Sequence, residues 1–132
     1  MEKLTWEQRE EILDYFGKEI IKRRDGALKV SMNIAKLSTL NEFSKAKYNS
    51  FSTLTDKQQE DMCDLLSETI TDIIYRMLEM FEECEDKMEL IIKKDGKEYN
   101  MTEISEKMGS EIANYEDDGW IQKFSKIGRF VL

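Results

Sequence analysis

Between Asp56 and Cys84 the apolar residues fall at Met62, Leu65, Leu66, Ile70, Ile73, Ile74, Met77, Leu78 and Phe81. Steps of three, one and four recur for more than five turns, which is the stripe of a long amphipathic α-helix. The rest of the chain is organised around this stretch. Its opposite face carries Asp61, Asp64, Glu68, Asp72, Glu79, Glu82 and Glu83. On this reading the stripe is core, and Ile73→Asp is expected to unfold the domain by burying an unpaired charge.

The 132 residues suit one domain, 1–132, and are enough to bury a core without metal or disulfide staples. Proline is absent, which fits long helices with few rigid turns. The net charge of −8 is unevenly spread. Residues 1–50 hold ten Lys/Arg against eight Asp/Glu, net +2, whereas residues 56–89 hold three against twelve, net −9. An acidic helix of this kind repels nucleic acid and anionic lipid and favours a basic partner; the plainer reading is a solubilising surface.

Thr5-Trp6-Glu7-Gln8 fits a capping box and opens a first helix, with Leu4, Trp6, Ile12, Leu13, Phe16, Ile20 and Ile21 as its buried stripe. Asp25-Gly26 reads as the end of that helix. Residues 27–37 fit either strand alternation or a helix, the composition favouring helix. Residues 38–54 read as a loop or short helix folding Phe43, Tyr48 and Phe51 onto the core. Thr55-Asp56-Lys57-Gln58 is a second capping box, and it starts the central helix. Asp95-Gly96 marks a two-residue hairpin turn with positive φ at Gly96. That turn pairs Ile92 with Tyr99, Leu90 with Met101 and Lys93 with Glu98. Thr102 to Asn114 reads as one helix, and Trp120 to Phe124 begins a short last one. The expected fold is therefore α+β: a mostly helical single domain with a long central helix and one antiparallel hairpin.

Histidine is absent, which removes the usual general base, the common catalytic triads and histidine-ligated metal sites. There is no CxxC and no phosphate-cradling glycine loop. Cys63 and Cys84 lie on one helix about 31 Å apart at 1.5 Å per residue, too far to bond each other. They read as free thiols in a reducing cytosol. Carboxylates one turn apart, such as Glu82 and Glu85, would allow a magnesium site only if a second helix offered Glu7, Glu10, Glu11 or Asp14. Residues 102–110 resemble the start of a helix-turn-helix, but residues 103–118 carry six acids against Lys107, the reverse of what phosphate contact needs. No apolar run is long enough to span a membrane and residues 1–7 are not a signal peptide, so a cytoplasmic location is expected.

The segment Asp118-Gly119-Trp120-Ile121-Gln122-Lys123-Phe124-Ser125-Lys126, following a long acidic helix and a hairpin, resembles the ends of small uncharacterised bacterial proteins. Some of these resemble immunity proteins that neutralise a toxin. The likeness covers about the last half of the chain, and it carries no functional residue across. It implies a non-catalytic role without a cofactor, with a basic toxin or nuclease as partner. The residues expected to meet that partner are Asp61, Asp64, Glu68, Asp72 and Glu79 for steering, with Trp120 and Phe130 as exposed apolar anchors. The alternatives are a structural or housekeeping globular protein and an all-helical carboxylate–magnesium nucleotide hydrolase.

Overall fold

The computed structural model describes residues 3–37, 40–114 and 116–128. Two long helices, α1 (Trp6–Ala35) and α3 (Asp56–Glu83), pack against each other. Between them come a short helix α2 (Glu42–Lys47) and a 3₁₀ turn (Asn49–Thr53). After α3 the strands β1 (Ile91–Lys94) and β2 (Lys97–Asn100) form an antiparallel hairpin. Short helices α4 (Met101–Ile104), α5 (Met108–Ala113) and α6 (Trp120–Phe124) complete the described chain. The fold is α+β and mostly helical.

Both capping boxes form. Thr5 and Thr55 each accept from the backbone of the glutamine three residues on, while Gln8 and Gln58 reach back to the cap N–H. The hairpin takes the expected register, Ile92 opposite Tyr99 and Lys93 opposite Glu98. Asp95 and Gly96 both have positive φ, 54° and 75°, as a type I′ turn requires. Lys94 reaches Glu11 at 2.9 Å and so fastens the hairpin to α1.

The first helix does not stop at Asp25-Gly26. It runs on to Ala35, which settles residues 27–35 as helix. Asp25 supplies the reason. Both of its carboxylate oxygens are engaged within the fold, by the Arg24 guanidinium at 2.9 Å, by Ser125 Oγ and by the Lys126 N–H. A side chain committed to these tertiary contacts cannot form the local turn that an Asp-Gly pair favours. Gly26 then sits inside a helix without positive φ, and a Cβ added there would meet nothing within 4 Å.

Residues 102–114 also depart from one continuous helix. Ser105 is extended and separates α4 from α5. The break lets Met101 of α4 and Met108 and Ile112 of α5 all enter one core. That core also holds Ile12, Leu13, Phe16 and Ile21 from α1, Leu78 from α3, and Trp120 and Ile121 from α6. Trp6, expected in the buried stripe, is 74% exposed at the helix start, and Phe43 stands out into solvent instead of folding inward. Tyr48 and Phe51 are half-buried and stack on each other with centroids 5.5 Å apart.

Arg24 is 1% exposed and joins three segments. Its NH2 donates to Ser67 Oγ at 3.0 Å and its Nε reaches Thr71 Oγ1 at 3.5 Å, both on α3. Its NH1 donates to Asp25 at 2.9 Å and to the Gly128 carbonyl at 2.8 Å. Removing one partner of a buried ion pair leaves the other charge uncompensated. Arg24→Ala is expected to lower unfolding stability by about 3–5 kcal/mol, read from the urea midpoint. Gly26→Ala is expected to raise it by about 0.5–1 kcal/mol, because alanine loses less backbone freedom in a helix interior and meets no obstacle here.

Candidate partner-binding face

The buried line of α3 is not its apolar stripe. Cys63, Ser67 and Leu78 are buried, with Thr71 and Ile74 partly buried between them. At about 100° per residue that line lies roughly a quarter-turn from the centre of the stripe. Ile74 and Phe81, on the near edge of the stripe, pack against the core. On the far side, Ile73 is 52% and Met77 56% exposed, with Leu65, among the acids, at 63%. Ile73 is therefore not a core residue, and the expectation that a charge there unfolds the domain is overturned. The helix had to turn because Arg24 requires hydroxyls opposite it, and Ser67 and Thr71 supply them.

The five acids expected at the site stand in different states. Asp61 is exposed and pairs with Lys57 at 3.0 Å; Asp72 is exposed and pairs with Arg76 at 2.8 Å. Both pairs are one helical turn apart and more than half exposed, so each contributes little stability and leaves its carboxylate open to a partner. Glu68 is exposed and lies between them in sequence. Glu79 accepts from the Tyr75 hydroxyl, an interaction that raises the Tyr75 pKa. Asp64 is half-buried, and its Oδ2 is buried with no hydrogen-bond partner among the described residues, so it belongs only partly to the surface. Asp61, Glu68 and Asp72, with Leu65 among them, thus occupy one side of the exposed arc of α3, and Ile73 and Met77 occupy the other.

Trp120 is not part of that face. It is 1% exposed, with its ring edge-on to Phe16 at 5.7 Å and pressed onto Gly17 so closely that a Cβ there would fall 2.5 Å from the indole nitrogen. An aromatic next to a Gly-Asp turn reads as a surface anchor in sequence; what makes it core is the α1 glycine that admits it. Phe130, the other expected anchor, lies outside the described residues. On α3, Leu65, Ile73 and Met77 are the apolar residues that the sequence pattern assigns to the core and that the structure leaves open.

A second group of acids converges elsewhere. Glu82, Glu85 and Asp86, at and beyond the end of α3, face Glu103 and Glu106 across a cleft of about 760 Å³. The helical spacing of the first group is visible in the sequence; its meeting with the second depends on where the hairpin delivers α4. Glu82 also accepts from the Gly109 N–H at 3.2 Å. Among the described residues no three Asp, Glu or Cys side chains are grouped so as to hold a metal ion. The helix that would read DNA is instead α5, six residues long, whose Met108, Gly109 and Ile112 are buried. Cys63 is buried, and burial pushes its thiol pKa up, with Lys36 opposing. It therefore stays protonated, and a protonated thiol is a poor nucleophile.

Comparison with protein-family models, with curated proteins and with solved structures returns no match. No helix among the described residues is long and apolar enough to cross a membrane.

Ile73→Asp is now expected to change unfolding stability by less than about 1 kcal/mol, as for a surface substitution. Thermal melts of the variant and the parent by circular dichroism check this.

Proposed function

We propose that this is a non-catalytic, cytoplasmic binding module that docks a basic protein on the exposed face of α3. The observation that supports this reading is that α3 exposes Ile73 and Met77, each by more than half, on the same solvent-facing arc that carries Leu65, Asp61, Glu68 and Asp72. Apolar contact supplies affinity at the centre of an interface, while charges around it set the encounter rate and reject like-charged partners. A helix carrying net −7 over residues 56–83, within a stretch of net −9 over residues 56–89, disfavours a second copy of itself and favours a cationic surface. The apolar anchors in this reading are Leu65, Ile73 and Met77, replacing Trp120. The immunity-type likeness adds the class of partner: a basic toxin or nuclease whose cationic surface the face would cover.

The reading is tested with a synthetic amphipathic helix of leucine and lysine, and with its leucine–glutamate counterpart as control. The basic peptide is expected to bind and the acidic one not. Ile73→Ser with Met77→Ser is expected to weaken binding at least tenfold. Asp61→Asn, Glu68→Gln and Asp72→Asn together are expected to slow association at low salt and flatten its salt dependence, since steering acts within about 8 Å at physiological ionic strength. Surface plasmon resonance at two salt concentrations reads both effects. Equal association of the triple variant and the parent at low salt would reduce the acids to a solubilising surface.

A further inference from the structure

A different face of the molecule carries the opposite charge. Where the middle of α1 meets the end of α6 there is a groove of about 460 Å³. Phe124 and Ile127 give it an apolar wall, and Lys18, Lys22, Lys29 and Lys126 stand around it. Of the two acids that border it, Asp25 is held by Arg24, Ser125 and the Lys126 N–H, whereas Glu19 makes only an exposed one-turn pair with Arg23 at 3.6 Å. Among the described residues none of the four lysine ammonium groups has an ion-pair partner. Four lysines without an ion-pair partner among the described residues therefore line one concavity in a chain whose net charge is −8.

The second observation is Gly26, which also lines this groove. Glycine weakens a helix interior relative to alanine. Here the backbone is not in the left-handed region, and among the described residues no atom beyond the helix's own backbone and the adjacent residues lies within 4 Å of where a Cβ would be. Among the described residues neither a turn nor a close approach calls for the missing side chain. What its absence does is deepen the groove beneath the lysines.

We propose that this groove binds a small organic anion: an acidic head of carboxylate, sulfonate or phosphate type held among the lysines, on an apolar body laid against Phe124 and Ile127 over Gly26. The volume falls within the range of small-ligand pockets, about 300–1,000 Å³, in which an apolar wall supplies contact and a few charges fix orientation. The site does not involve α3, so it stands whether or not that helix docks a protein.

The test is a titration of the ¹⁵N-labelled full chain with decanoate and with 8-anilinonaphthalene-1-sulfonate, followed by amide shifts. Saturable shifts at Gly26, Phe124 and Ile127 are expected. Lys22→Glu with Lys29→Glu is expected to raise the apparent Kd tenfold or more. Gly26→Leu fills the groove and is expected to abolish the shifts while its melting temperature stays at or above the parent's, which separates loss of the site from loss of the fold. Binding of the uncharged analogue N-phenyl-1-naphthylamine as tightly as the sulfonate would overturn the proposal, as would unchanged binding in Gly26→Leu. Attachment to phosphatidylglycerol vesicles without saturable shifts from either free anion would also overturn it, and would make the lysines a membrane-contact surface.

Discussion

A single buried guanidinium fixes how the two long helices meet. A charge taken out of water is costly unless every donor finds an acceptor, and Arg24 is satisfied only when Ser67, Thr71, Asp25 and the Gly128 carbonyl all surround it. Three of these partners come from other parts of the chain. The contact therefore sets the rotation of α3 about its own axis, its register along α1, and the position of the segment that follows α6. With Ser67 and Thr71 turned inward, α3 cannot also turn its whole apolar stripe inward. The exposure of Ile73 and Met77 follows from the same constraint that holds the fold in one arrangement.

The local signals in the sequence were legible wherever the cause is local. Capping boxes at Thr5 and Thr55 and the Asp95-Gly96 turn are decided within a few residues, and the structure has each of them. The hairpin register follows from its turn and from matching pairs across it. Asp25-Gly26 failed as a stop signal because the carboxylate is used by Ser125 and Lys126, a hundred residues away. The face of α3 was misjudged for a related reason. A hydrophobic stripe predicts the buried side only when the neighbouring helix offers apolar atoms along it, and opposite Ser67 and Thr71 α1 offers Arg24. Trp120 was assigned to the surface because nothing near it in sequence shows that Gly17 leaves room for its ring.

The candidate site was partly legible. That α3 gathers the acidity of the chain is a matter of counting, and the exposed Asp61, Glu68 and Asp72 stand as the sequence suggests. Which apolar residues accompany them depends on helix rotation and was not readable. The lysine-lined groove gives no sequence signal at all. Lys18, Lys22 and Lys29 look like ordinary solvated positions until Phe124 and Ile127 are brought alongside them by the chain's last described turn.

The distribution of buried residues along the α1–α3 pair divides it into two unequal parts. The core cluster is built from α1 residues up to Ile21, while Leu28, Ala35 and Cys63 are buried but stand apart from it. Neither α2 nor the 3₁₀ turn beyond them contributes a buried residue. Opening of the far end, from about Gly26 to Ala35 and from Asp56 to about Leu66, exposes Leu28, Ala35 and Cys63 and leaves the main core untouched. Such a segment behaves as its own cooperative unit, with backbone amides that exchange with solvent through excursions smaller than global unfolding. Arg24 stands at the boundary between the two units, and fraying that starts at the far end is halted where breaking the next contact would strand a charge.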